Sequence, residues 1–389
     1  MRRQTIAQLA QRGALLYSDG YRTKRSELAD DGFRIIRVAD ISDGFISLDS
    51  PDFVADSRSK SIGIKAGQDG DVLLTTKGTV GRVALIEDLR ERVVYSPQLC
   101  FFRVLDPAAI DARYLKYWFN SPDFRHQSSY RKGNTDMADY INLRDISSLS
   151  IDLPLISQQA AIADILDALD RKIQLNRRMM QTAETLGIEI VRTCFVGDSM
   201  VALSDMAEVT MGSSPPGESY NDIGDGVVFF QGNRDFGFRY PTKRLWTSEP
   251  IRRAKRGDTL LSVRAPVGAL NIATEDVCIG RGLASLRSTC DSPATLFYIV
   301  KSLRDVWEPF QSEGTVFGSI NRNQLNDLPI PTIREKAATE AKLASLDGLV
   351  ANAHAQNLSL VEARDTLLPK LMSGKLRVTE AKGHVAADR

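Results

Sequence analysis

The 389-residue sequence predicts an α+β protein. Two mixed α/β globular domains, related by a pseudo-two-fold, are expected to be separated by two long antiparallel coiled-coil helices. Three observations carry this. The chain repeats itself at a slowly falling offset. Each copy mixes short strand-like runs with brief helical ones. Each copy then leads into a long segment with apolar residues in steps of three and four.

The repeat is explicit. Gly70-Asp71-Val72-Leu73-Leu74 is matched by Gly257-Asp258-Thr259-Leu260-Leu261 at an offset of 187. Thr79-Val80-Gly81 meets Pro266-Val267-Gly268, and Lys77 meets Arg264, at the same offset. Tyr114-Leu115 and Tyr117 meet Thr295-Leu296 and Tyr298 at 181, and Ile141-Asn142 meets Ile320-Asn321 at 179. Small loop deletions would produce such a drift. Strand composition marks Phe33–Val38, Val93–Tyr95, Phe101–Leu105 and Val227–Phe230, with glycines punctuating the runs. Short helices are expected at Ala112–Asn120 and Pro293–Arg304.

The long segments show a seam. Ile162, Leu166, Leu169, Ile173, Asn176, Met180, Ala183, Gly187 and Ile190 recur within Gln158–Arg192. Leu343, Leu346, Val350, Ala353, Asn357, Leu360, Arg364, Leu367 and Leu371 repeat the pattern. A helix with one apolar stripe must bury it, and the other copy is the simplest partner. At 1.5 Å per residue each helix is about 50 Å long, which matches roughly 15 base pairs of duplex. The expected boundaries are 1–152, 153–194 (first helix), 195–331, 332–378 (second helix) and a flexible tail at 379–389.

Composition excludes several classes. A hydrophobic fraction of 43% and a charged fraction of 25% describe an ordinary globular chain, not a disordered, collagen-like or disulfide-scaffold one. The net charge is +1; residues 1–150 carry 22 basic against 20 acidic and residues 196–331 carry 14 against 16. No domain is basic in bulk, so tight nonspecific binding to DNA by this chain alone is not expected. Thr5, Gln8, Gln11 and Arg12 interrupt any apolar leader, and no stretch is long enough to span a membrane. Cys100, Cys194, Cys278 and Cys290 form no C-x-x-C, and only His126, His354 and His384 are present. Reduced, buried thiols and a cytoplasmic location are expected, with no metal site.

Catalytic motifs are not evident. Ser214-Pro215-Pro216-Gly217 begins like an amino-methyltransferase motif, but that motif needs an aromatic residue where Gly217 stands. No P-loop and no G-x-S-x-G occurs. Residue types that read or grip nucleic acid are present instead. Arg pairs with guanine edges, Asn and Gln with adenine, and Lys or Arg with phosphate. The candidates are Arg22, Lys24 and Arg25 beside Tyr21, Lys77 and Thr79, and Arg131, Lys132 and Asn134 beside Tyr130. In the second copy they are Ser213, Ser214, Gln231, Asn233, Arg234, Lys243, Arg244, Arg264 and Asn321. Lys243 and Arg244 open a run with Arg252, Arg253, Lys255 and Arg256 against the single acid Glu249.

Longer stretches carry a family resemblance. These are Leu153-Pro154-Leu155-Ile156-Ser157-Gln158-Gln159, Ala163 to Ile173 (ADILDALDRKI), Asn176-Arg177-Arg178, and the ending Arg364 to Leu376 (RDTLLPKLMSGKL). With the Gly-Asp-x-Leu-Leu strands, the sequence resembles the specificity subunit of a type I restriction–modification enzyme over essentially its whole length. One departure is Pro331-Thr332-Ile333-Arg334-Glu335-Lys336, which lacks the Gln-Gln or Glu-Gln expected there. The resemblance implies two target-recognition domains, each reading one half of a bipartite site in double-stranded DNA. It implies a non-catalytic chain partnered by two methyltransferase subunits and by restriction subunits. No cofactor is expected on this chain; S-adenosylmethionine, ATP and Mg are expected on the partners. Two other readings are a self-contained DNA adenine methyltransferase and a coiled-coil adaptor that does not bind DNA.

Overall fold

The computed structural model describes residues 2–42, 44–129, 140–303, 305–313 and 316–378. Arg131, Lys132, Asn134 and the tail 379–389 lie outside the described residues. The chain divides into two compact units, Met1–Ile173 with Leu358–Arg389, and Gln174–Asn357. Each unit therefore takes one globular part and a portion of both long helices.

In the first unit an antiparallel sheet runs in the order Leu15–Asp19, Leu99–Val104, Val72–Thr75, Val83–Leu85. Its central strands are buried on both faces, as their apolar sequences require. Val72, Leu74, Cys100 and Phe102 pack toward the helix Ala112–Asn120, with Leu115 and Phe119. Leu73, Leu99 and Phe101 point the other way, to Ile36, Val93 and Tyr95 of a second sheet. That sheet orders Val93–Tyr95, Phe33–Ile36, Phe53–Val54 and Leu28–Ala29, with its first two strands parallel. The strand from Phe33 ends at Ile36, two residues short of expectation. The Asp40 carboxylate accepts from Arg37 N at 2.7 Å and folds Val38–Asp40 into a 3-10 turn.

The second unit repeats the plan. Ala207–Met211, Leu283–Ser288, Thr259–Ser262 and Leu270–Ile272 form the antiparallel sheet. Val227–Phe230 and Val277–Ile279 supply the parallel pair of the other sheet. Arg2–Thr5 pairs with Ser150–Leu153 in the first unit, and Phe195–Ala202 pairs with Pro329–Ile333 in the second. The short helices span Ala112–Asn120 and Pro293–Ser302.

The repeated Gly-Asp has a structural cause. Asp71 is fully buried and accepts from Tyr95 Oη at 2.6 Å, Arg103 Nε at 2.8 Å, Arg103 Nη2 at 2.7 Å and Gln68 N at 3.0 Å. Asp258 accepts from Ser285 Oγ at 2.8 Å, Arg287 Nε and Nη2 at 2.9 Å, and Lys255 N at 2.8 Å. Each acid thus ties the tight turn before its strand to an arginine on the neighbouring strand.

The long helices span Ile156–Thr193 and Lys336–Met372. In the first unit Ile162, Leu166 and Leu169 share a core with Leu367, Leu368 and Leu371, and Arg364 Nη1 meets Asp170 at 3.1 Å. In the second, Met180 and Ala183 cluster with Val350 and Ala353, and Val191 shares a core with Leu343. Early residues of one helix meet late residues of the other, so within each unit the helices run antiparallel. Asn176 Nδ2 donates to Asn357 Oδ1 at 3.0 Å and Gln356 Oε1 at 3.2 Å. The two seam asparagines therefore satisfy each other while buried. Of the seam, Ile190, Leu346, Leu360 and Arg364 are only partly buried.

The departure at the start of the second helix is also resolved. In the first unit the buried Gln159 accepts from Asp111 N at 3.0 Å and donates to Ala109 O and Pro154 O. In the second unit Glu340 takes over, accepting from Ala294 N at 3.1 Å and Thr295 N at 2.8 Å. A carboxylate suits that place, because it faces the N-terminus of Pro293–Ser302. One expectation is corrected: Cys100 and Cys278 are buried, but Cys194 is half-buried and Cys290 is exposed. Cys290 falls in the turn between strand Leu283–Ser288 and helix Pro293–Ser302, outside either layer.

Candidate nucleic-acid interface

In each unit several loops are stitched together at one edge of the sheets by backbone hydrogen bonds. In the first, Gly20 N donates to Leu99 O, Tyr21 N to Tyr95 O, Ser96 N to Ile36 O, Thr76 N to Gln98 O and Ile141 N to Thr76 O. In the second, Gly212 N donates to Leu283 O, Ser213 N to Ile279 O, Gly280 N to Phe230 O, Val263 N to Gly282 O and Ile320 N to Val263 O. The two sets correspond bond for bond. The approach is so close that a side chain on Gly20 would meet Ser96 O at 2.1 Å, and one on Gly212 would meet Gly280 O at 2.2 Å. Glycine is required at both places because another backbone occupies the space a Cβ would need.

This framework gathers most of the expected residues. Arg22, Lys24 and Arg25 are exposed directly after Gly20. Lys77 and Thr79 are exposed on the turn after Val72–Thr75, and Arg264 on the equivalent turn after Thr259–Ser262. The turns match: Gly81 N donates to Thr75 O and Gly268 N to Ser262 O, both at 3.0 Å. Each cation sits in a lone antiparallel bridge, Lys77 to Tyr140 and Arg264 to Ser319. Neither Lys77 nor Arg264 has an ion pair among the described residues, so both leave uncompensated positive charge. Ser213 and Ser214 follow Gly212 and are partly exposed; Gln231 and Arg234 are exposed and Asn233 is half-buried on the next loop.

Three candidates have other engagements. Lys243 pairs with Glu275, and Arg244 Nε with Asp235 at 2.8 Å, so their charges are locally balanced. The basic run they open is spread along the chain, with Arg253 in the strand Arg253–Ala254 and Arg256 N held by Asp276 at 3.0 Å. Asn321 caps the helix Arg322–Asn326: its side chain accepts from Gln324 N while Gln324 answers to Asn321 N. Asn142 does the same for Leu143–Ser148. The Ile-Asn repeat is therefore a capping repeat.

Two residues in this framework escaped the sequence reading. Gln98 and Arg281 are exposed on the tight turns between Val93–Tyr95 and Leu99–Val104, and between Val277–Ile279 and Leu283–Ser288. Each stands alone in sequence, with no cluster to mark it; the strand repeat at an offset of 184 is the signal that aligns their turns.

Among the described residues no group of three or more His, Cys, Asp or Glu side chains is placed to hold a metal ion. Among them, too, no helix is long and apolar enough to cross a membrane.

Comparison with known proteins follows the same lines. The family model of the type I restriction modification DNA specificity domain matches residues 16–185. A Methanocaldococcus jannaschii protein named as the specificity subunit of the type I restriction enzyme MjaX is 28% identical over 375 residues, covering 89% of this chain and 88% of that protein. The MjaVIII specificity subunit of the same organism is 21% identical over 178 residues, covering 45% of this chain and 41% of that protein. The crystal structure of the type I restriction–modification S subunit from M. genitalium has the same fold, with a TM-score of 0.58, 15% identity and coverage of 95% of each chain. Repeat, paired sheets and seam helices agree with these likenesses: the chain is similar to the specificity subunits of type I restriction–modification systems over most of its length.

Proposed function

We propose that this chain is the DNA-recognition subunit of a type I restriction–modification enzyme. Each unit's loop framework reads one half of a bipartite target. The long helices set the spacer and dock methyltransferase subunits, through which restriction subunits join. Methyl transfer and cleavage belong to those partners, as do S-adenosylmethionine, ATP and Mg. The observation that carries this reading is the duplication of one loop framework, each copy exposing a cation, Lys77 or Arg264, with no ion pair among the described residues, at the same turn. A near-neutral chain suits the role, because only these edges need positive charge and the partners complete the grip on the duplex.

Lys77→Ala and Arg264→Ala test it in the complex with the methyltransferase subunits. Each is expected to weaken DNA binding and, where the contact is to phosphate, to lower the slope of log affinity against log salt by about 1. Unchanged affinity and slope in both variants would remove these turns from the interface.

A further inference from the structure

The tight turn between the two sheets offers one polar side chain per unit, and the two differ in chemistry. In the first unit the turn is Ser96-Pro97-Gln98-Leu99, closed by Leu99 N to Ser96 O at 3.0 Å. In the second it is Gly280-Arg281-Gly282-Leu283, closed by Leu283 N to Gly280 O at 3.0 Å. The turns are equivalent, since both donate and accept the same bonds to the loops around them. Their central residues are Pro97-Gln98 and Arg281-Gly282. A side chain at position 282 would meet Gln231 O at 2.7 Å and Gly232 Cα at 3.0 Å. In the second unit the loop from Gln231 thus fills the place from which Gln98 projects in the first, and the polar group moves one residue back, to Arg281.

Arg281 is held firmly for an exposed residue. Its N–H faces Ser214 Oγ at 3.4 Å, and Gly282 N donates to Gln231 O at 3.0 Å. No acid pairs with its guanidinium among the described residues. It stands between the loops that bear Ser214, Gln231 and Arg264, the last joined through Val263 N to Gly282 O at 2.9 Å. A fixed turn at the centre of the framework suits contact with base edges, which demands register, better than contact with phosphate alone.

We propose that Arg281 and Gln98 are specificity-determining residues. Arg281 reads a guanine through O6 and N7 in the half-site of the second unit. Gln98 reads an adenine through N6 and N7 in the half-site of the first. The two half-sites then differ at the base this turn faces. The inference rests on the DNA-recognition reading above.

The test maps methylated sites in genomic DNA from cells expressing the complete system with wild-type chain, Arg281→Lys, Arg281→Gln or Gln98→Ala. Lysine keeps the charge and loses the two-pronged geometry, so it separates base reading from phosphate contact. Both Arg281 variants are expected to relax one guanine position in one half-site, with discrimination there falling roughly 5- to 150-fold. The other half-site stays unchanged and serves as an internal control for folding and assembly. Gln98→Ala is expected to relax an adenine in the opposite half-site. Retention of the wild-type motif by both Arg281 variants would overturn the assignment while leaving the DNA-recognition reading in place. Loss of methylation at all sequences alike in an assembled variant would also overturn it. A wild-type system that methylates no bipartite motif would overturn the DNA-recognition reading, and this inference with it.

Discussion

Arg239→Ala is expected to lower the stability of the second unit by about 3–5 kcal/mol, the cost of removing one partner from a buried charge cluster. Arg239 is 1% exposed. Its Nη1 meets Asp347 Oδ1 at 2.5 Å on one long helix, and its Nη2 meets Glu184 Oε2 at 3.3 Å on the other. Tyr298 Oη accepts from Nη2 at 3.1 Å, and the guanidinium lies 4.0 Å from the Phe297 ring centroid. One side chain therefore joins the globular part of the unit to both of its helix segments. Burial holds the Asp347 carboxyl above its ordinary range and pushes the Tyr298 hydroxyl up to about 12. Without the cation, the largely buried Asp347 keeps only the hydrogen bond that the Tyr298 hydroxyl donates at 3.0 Å, so its pKa rises further. Between the wild-type pKa of Asp347 and the variant's higher one, only the variant's folded state still holds the proton, so its deficit against wild type should grow as pH rises through that window. Below both pKa values the carboxyl is protonated in either folded protein, and the deficit should level off at its smallest value. Urea unfolding of both proteins across this range checks sign and size together; an equal deficit at all pH values would contradict the role given to Asp347.

Asp71→Ala should cost a similar amount, about 3–5 kcal/mol, in the first unit. The side chain of Asp71 is fully buried and that of Arg103 is only 11% exposed. Removal leaves a desolvated guanidinium with only Ile64 O at 3.2 Å and Ala66 O at 2.8 Å, and strips Tyr95 Oη of its acceptor. The equivalent Asp258→Ala should cost less, about 1–3 kcal/mol, because the Arg287 side chain is 37% exposed and water can replace the lost acceptor. Unfolding midpoints for the two variants give the comparison. A larger loss at Asp258 than at Asp71 would show that burial is not what sets these energies.

Periodicity made the scaffold legible. A seam of apolar residues three and four apart has one physical outcome, a buried stripe, and Leu169, Ile173, Met180, Leu343 and Val350 are all buried. The repeat likewise marked Asp71 and Asp258 before their arginine partners were visible. The interface was less legible, because bonds between segments far apart in sequence assemble it. Gly282 N reaches Gln231 O across some fifty residues, and no local pattern announces that. Local charge counting also misleads: Arg244 looks available until Asp235 is seen beside it, and Lys243 until Glu275 is. Asn321 was legible in another sense, since Asn321 with Gln324 is the spacing of a capping box. Arg281, between two glycines, carried no sequence signal beyond the repeat.

The most direct measurement is the map of methylated bases in DNA from cells expressing this chain with its methyltransferase subunits. Two duplicated but chemically different loop frameworks predict a bipartite motif, with two unlike specified blocks separated by a nonspecific gap of fixed length. A single uninterrupted motif, or no sequence-specific methylation in the presence of the assembled complex, would contradict it.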